Sequence, residues 1–355
     1  MTSKQRVLAA VNHSKADRTP ITFDAQKEVY DLLYQRLGLH TRRELFDRLN
    51  VDTWMILPKG FEYSEAEKKK VEKTAVWGYK RKTTEYSGGT YEELIHSPLA
   101  GKDEISDIRN HPWPGSDTWD YSGFPAESKA NADRAIIGTF TWGAYFIASF
   151  VRGMEDLMID FGMRKDYADH LIKTISEISY DTLNTMLTKY GAGVDIVYMA
   201  DDYCSQLGPL FSPETFKEFC SPYLRKYVDL VHKHHKKFLL HVCGSVRPLL
   251  PLIIDAGVDM LEPIQIRAAG MDPAGLKKDF GKHICFYGGV DLQETLSKGS
   301  PDAVAAEVRR LIDVLDRDGG YVLGPGHTYI QIDASFENIM AMYETGRTYG
   351  AQRKG

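Results

Sequence analysis

No stretch of this chain stays apolar for the length that a membrane helix requires. Met1 to Asn12 reads as a polar helix with no apolar core and no cleavage signal. A cytoplasmic protein without a membrane partner is therefore expected. Cysteine is scarce. The four residues Cys204, Cys220, Cys243 and Cys285 are few for 355 residues, and reduced thiols are expected. Positive charge is not concentrated anywhere: the net charge is -5, and Lys68-Lys69-Lys70 follows Glu65 and Glu67 as a solvated helix face would. Nucleic acid binding thus has no electrostatic support. No GxGxxG turn follows an early strand, which argues against a doubly wound dinucleotide fold. Internal repeats and low-complexity tracts are absent too. What remains is an ordinary globular composition, 43% hydrophobic and 26% charged.

Short apolar runs alternate with helical patterns over the C-terminal two thirds. The runs are Ala135–Phe140, Asp195–Ala200, Phe238–His241, Val258–Leu261, Ile284–Tyr287 and Gly320–Leu323. Two further runs lie upstream, at Pro20–Phe23 and Asp52–Leu57. Such runs, apolar without alternation, predict parallel strands buried on both faces. The helices between them carry their own signals. Ser212-Pro213-Glu214 supplies a cap, a first-turn proline and a first-turn acid, with a kink expected at Pro222. Ser300-Pro301-Asp302 opens another helix, with Val304, Val308, Leu311 and Leu315 on one stripe. Eight strands and their helices predict an α/β fold, a (β/α)8 TIM barrel forming a single domain over 1–355. Residues 60–130 break the alternation. Thr74–Tyr86 and Thr90–His96 read as a hairpin around Gly88-Gly89, an insertion after the second strand that forms a lid or an interface.

In a TIM barrel the chemistry sits just past the C-terminal ends of the strands. Here those positions hold Asp24, Asp201-Asp202, His241-Val242-Cys243, Glu262 with Gln265, Gly288-Gly289-Val290-Asp291 and His327. His241 and Cys243 are the sharpest pair. In extended backbone residues i and i+2 point to one side, so imidazole and thiolate converge. Both are good zinc ligands, with His327 the best placed third and Glu262 a further candidate. A lone buried His or Cys more often serves packing; the company at neighbouring strand ends favours a metal. Asp201, Asp202 and Glu262 are expected in substrate or acid/base work, the two aspartates beside a bland reading as a helix-capping pair before Ser205. Gly288, Gly289 and Asp291 are candidates for cofactor binding, since glycine lets a large ligand approach the backbone; a tight turn is the alternative. His232, His234 and His235 lie on a Lys-rich helix end and are expected to be solvated.

The chain resembles the uroporphyrinogen decarboxylase superfamily over nearly its whole length. The matching segments are Arg6–Ala10 with Asp17-Arg18-Thr19-Pro20, His241–Gly244, Asp259–Gln265, Tyr287–Asp291, and Gly319–His327 followed by Glu337-Asn338-Ile339. The closer likeness is to the branch of cobalamin-dependent methyltransferases. In that branch the His-x-Cys pair and a third residue after the last strand hold zinc; in many relatives the third is cysteine, and here it is His327. The decarboxylases carry an arginine-rich segment near the N-terminus that grips substrate carboxylates, and residues 20–30 have no equivalent.

The resemblance implies a zinc-dependent methyltransferase that moves a methyl group between a small substrate and a corrinoid supplied by a partner protein. Zinc would bind the heteroatom as a Lewis acid. A single thiolate would leave it electrophilic, which suits a methyl ether or methanol-type donor. Homodimers occur in this barrel family. The alternatives are a metal-free decarboxylase of a tetrapyrrole, in which His327 and an acid stabilise charge, and a degenerate barrel that only binds.

Overall fold

The computed structural model describes residues 1–86 and 89–352. Its strands are β1 (Thr53–Ile56), β2 (Glu72–Thr74), β3 (Lys80–Tyr86), β4 (Gly89–His96), β5 (Ala135–Thr139), β6 (Ile196–Ala200), β7 (Lys237–His241), β8 (Met260–Glu262), β9 (Cys285–Tyr287) and β10 (Tyr321–Val322). Seven of them form one curled parallel sheet in the order β1-β5-β6-β7-β8-β9-β10. Helices connect the strands, as right-handed crossovers of a TIM-like α/β fold require.

Side chains alternate across this sheet. Ile137, Ile196, Tyr198, Leu239, Met260, Cys285, Tyr287 and Val322 form an inner cluster. Val197, Met199, Phe238, Leu240, Leu261 and Phe286 join the outer cluster under the helices. Both faces are buried, and the strands therefore read as continuous apolar runs. Helix Ser3–Val11 packs Val7, Ala10 and Val11 into the inner cluster, from the side where the strands begin.

The run Pro20–Phe23 forms no strand of its own; it makes a single parallel bridge, Ile21 to Leu323. Pro20 has no N–H to donate to a ladder. Even so, the segment touches both edges of the sheet. Thr22 N donates to Leu323 O and Leu323 N to Pro20 O, both at 2.8 Å, while Asp52 N donates to Ile21 O at 2.7 Å. The Asp52 carboxylate takes the place of a backbone acceptor, receiving Ile21 N at 2.8 Å. It is fully buried between Arg6 and Arg18, each 2.7 Å away.

The helix expected to kink at Pro222 is two helices, Pro213–Phe219 and Ser221–Lys233, parted at Cys220. Proline is tolerated in a first turn, where its missing N–H has no partner to lose. Between β1 and β5 lies a separate antiparallel sheet, β2-β3-β4. Thr74 and Lys80 belong to different strands because the chain turns at Gly78, φ +91°, whose N–H returns to Ala75 O. Gly88 of the expected turn lies outside the described residues. Among the described residues no helix is long and apolar enough to cross a membrane.

Candidate metal centre

Three adjacent strands end level. Their register pairs Ala200 with His241 and His241 with Glu262. The residues that follow β6, β7 and β8 therefore meet at one rim. Gly244 sharpens the turn after Cys243: its φ is +89°, and a Cβ there would lie 2.4 Å from Ser205 O.

One ligand atom each from Asp202, His241 and Cys243 lies within 4.8 Å of the others. His241 Nε2 stands 3.3 Å from Cys243 Sγ and 3.5 Å from Asp202 Oδ1. Asp202 Oδ1 also accepts the Cys243 N–H at 3.0 Å. His327 hydrogen-bonds the Cys243 sulfur, with its ring centroid 6.2 Å from that of His241. On the far side of His241, Nδ1 faces Glu262 Oε2 at 2.6 Å. Thr328 Oγ1 lies 3.1 Å from Nδ1 and donates to Glu262 Oε1 at the same distance.

Burial pulls the His241 pKa down, but the Glu262 carboxylate and Cys243 outweigh it and hold the imidazole well above its ordinary value. Burial pushes the Cys243 thiol up, yet hydrogen bonds from His241 and His327 bring it below its ordinary value. His327 is raised: the bond to Cys243 overcomes desolvation. The cluster thus favours a thiolate, which is the form that ligates metal. A bound metal would displace the Nε2 proton; with the remaining proton on Nδ1 toward Glu262, Nε2 would present a lone pair to the same point. Carboxylate, imidazole and thiolate together fit zinc.

The expected residues divide into three groups. His241, Cys243 and Asp202 come together, and His327 touches them through the thiol. Glu262 does not join the ligand group; it stands behind His241, where a carboxylate orients a ligating imidazole. Asp201 turns away. Its oxygens accept Phe146 N at 2.7 Å, Tyr145 N at 3.4 Å and Tyr203 OH at 2.7 Å, capping the helix Ala144–Arg152. Burial raises its pKa to about 7. No helix begins at Ser205, where the capping reading placed one; Asp201 instead meets the N-terminus of a helix that precedes it in the chain.

Gly288 and Gly289 are buried turn residues with φ +90° and +114°. A Cβ on Gly288 would lie 2.5 Å from Pro325 O, so the close approach there is to the chain's own backbone. Asp291 accepts the N–H groups of Gln293, Glu294 and Thr295 and pairs with Arg267 at 2.5 Å. His232 is not simply solvated: its Nε2 lies 2.7 Å from Asp259.

Sequence reasoning passed over Thr328, Tyr198 and the depth of Asp24. The Tyr198 ring sits 6.1 Å from that of His241. Asp24, Tyr198, Tyr287, Glu262 and Thr328 line a narrow pit of about 20 Å³. Burial, partly offset by Arg42, raises the Asp24 carboxyl to about 6. Asp24 already stood among the residues that follow strands; Thr328 and Tyr198 carried no signal beyond adjacency to one. A wider cavity of about 350 Å³ opens beside His327. A groove of about 680 Å³ between the helices Lys165–Tyr190 and Ser221–Lys233 lies away from this chemistry.

The profile of the uroporphyrinogen decarboxylase (URO-D) family matches residues 127–349. Among curated relatives, the methylcobamide:CoM methyltransferase MtaA of Methanosarcina barkeri is 28% identical over 227 residues. That match covers 63% of this chain and 61% of the relative's length. A uroporphyrinogen decarboxylase of Parasynechococcus marenigrum is 26% identical over 265 residues, 72% of this chain and 70% of its own. Among solved structures, a methyltransferase from Methanosarcina mazei aligns with a TM-score of 0.70 at 20% identity, covering 98% of this chain and 99% of that one.

Proposed function

The chain belongs to the uroporphyrinogen decarboxylase (URO-D) family, and from that premise we propose that it is a zinc-dependent methyltransferase working with the corrinoid of a partner protein. The observation that carries this reading is the convergence of Asp202, His241 and Cys243 at one rim, with Glu262 set behind the imidazole. The similarity to the Methanosarcina barkeri methyltransferase supports it. Bound there, zinc supplies a Lewis acid for the heteroatom that carries the methyl group. The corrinoid supplies the cobalt that exchanges the methyl group.

The chain's own residues have separable tasks. Cys243 and Asp202 offer two negative charges, one on soft sulfur and one on hard oxygen. His241 offers a neutral nitrogen whose direction is fixed by Glu262 and Thr328. A carboxylate oxygen gives zinc less charge than a second thiolate would, so the set suits an oxygen leaving group, of the kind a methyl ether or methanol provides. Asp24, in the pit beside Glu262, holds a carboxyl able to give or take a proton near neutral pH. Phe61 and Glu62, at the start of the inserted stretch, stand at one wall of the mouth in this reading. Phe61 packs on Trp142, just past β5, with centroids 4.6 Å apart, and the Glu62 charge is felt at Tyr329 beyond β10.

The test is methyl transfer from methanol or a methoxylated aromatic to cob(I)alamin, followed by its visible spectrum, before and after removal of zinc by a chelator. Transfer that depends on zinc supports the reading. Turnover of uroporphyrinogen without transfer overturns it in favour of the decarboxylase.

A further inference from the structure

The helices Lys165–Tyr190 and Ser221–Lys233 pack side by side on the outer face of the sheet and leave between them the groove of about 680 Å³. That volume is within the range of small-molecule sites. The floor is largely aromatic: Tyr227 is buried, and Tyr180 and Tyr223 are half-buried. Ser176 lines the groove as well. It is 1% exposed, and its hydroxyl has no hydrogen-bond partner among the described residues. A buried hydroxyl left unpaired costs stability, and a polar ligand in the groove would pair it.

The two walls differ in charge. The first helix lines the groove with acids alone, Glu177 and Asp181, one turn apart on one face. The second contributes Lys226 and Lys233, with Asp229 between them in sequence. The walls face each other, since the Glu177 charge is felt at the Tyr223 phenol across the groove. Even so, no ion pair joins the walls among the described residues. Lys226 sits instead over the Tyr223 ring, its Nζ 5.2 Å from the centroid. Opposite charges that face across an aromatic floor without pairing fit a molecule that carries both signs.

We propose that this groove binds a small zwitterion with an aromatic body, of which an aromatic α-amino acid is the simplest case. Its ammonium lies against Glu177 and Asp181, its carboxylate against Lys226 and Lys233, and its ring on the tyrosines. Aromatic rings pair by offset stacking or edge to face, and a phenol face also attracts an ammonium. A ligand charged with one sign only would meet a like-charged wall. The groove lies away from the metal centre, so the assignment stands apart from the methyltransferase reading.

Calorimetric titration of the full-length protein with three indoles tests this: L-tryptophan, tryptamine, which lacks the carboxylate, and indole-3-propionate, which lacks the ammonium. L-tryptophan is expected to bind about fivefold more tightly than either of the others, the weight of one charge pair in a half-open groove. Asp181→Asn should weaken L-tryptophan and tryptamine severalfold but not indole-3-propionate. Lys226→Gln should weaken L-tryptophan and indole-3-propionate but not tryptamine. Both positions are exposed on helix surfaces, so the fold is expected to persist. Zinc content should stay unchanged in both. Equal affinity for the three indoles overturns the assignment, as does the absence of binding by any of them. L-tryptophan bound as tightly by both variants as by the wild type would be held elsewhere on the protein, and that result overturns it too.

Discussion

Glu262→Ala separates a ligand from a residue that aims one. In the present geometry Glu262 Oε2 holds His241 Nδ1 at 2.6 Å, and its side chain is 4% exposed, so no bulk water replaces it. Removing the carboxylate leaves His241 Nδ1 with Thr328 alone, 3.1 Å away. Loss of such an orienting partner lowers metal affinity about 10- to 100-fold, or about 1.4 to 2.7 kcal/mol. Glu262→Gln keeps an acceptor at the same place but no charge, and its loss should fall at the lower end or below. Cys243→Ala removes a ligand outright and should cost far more. The assay is zinc affinity by competition with a chromophoric chelator for the wild type and these three variants. The reasoning is refuted if Glu262→Ala loses zinc as completely as Cys243→Ala, which would make Glu262 a ligand, or if it binds zinc as the wild type does.

Further predictions concern the scaffold. Asp52→Ala leaves two buried guanidinium groups facing each other at the closure of the sheet; the expected loss is about 3–5 kcal/mol of stability in urea titration, and a loss under about 1 kcal/mol would contradict the role given to Asp52. Gly288→Ala forces a Cβ against Pro325 O at positive φ and should cost about 1–3 kcal/mol, whereas Gly162→Ala, in a helix with open space around it, should stabilise by about 0.5–1 kcal/mol; equal effects would refute the distinction. Asp24 rises from 3.8 to about 6 in the fold. Its ionisation therefore works against folding as pH climbs from the unfolded value through the folded one. Asp24→Asn should thus stabilise by about 1–2 kcal/mol at pH 7, after discounting for partial exposure. The gain should vanish below about pH 4; a gain that persists there would show that charge is not its cause.

The parallel sheet was legible because strands buried on both faces write themselves as unbroken apolar runs, from Ala135 to Leu323. Pro20–Phe23 misled because an apolar run says nothing of which N–H groups find acceptors, and here an Asp52 carboxylate intervenes. At the site, the alternation rule brought His241 and Cys243 together from spacing alone. It could not separate Asp201 from Asp202: adjacent residues point opposite ways, one into a helix N-terminus and one toward the backbone N–H of Cys243. Nor could it say that Glu262 faces the far nitrogen of His241, since register between strands is not written in either strand. Gly288 and Gly289 were legible as turn glycines, but whether backbone or ligand approaches them depends on Pro325, 37 positions away in the chain as numbered.

The central claim is tested most directly by the metal content of the purified protein, measured together with the absorption edge and near-edge scattering that report its ligands. The account predicts close to one zinc per chain, bound through a single sulfur with nitrogen and oxygen neighbours, and its loss in Cys243→Ala. Wild-type protein without zinc, or a Cys243→Ala variant that retains it in full, would contradict the account.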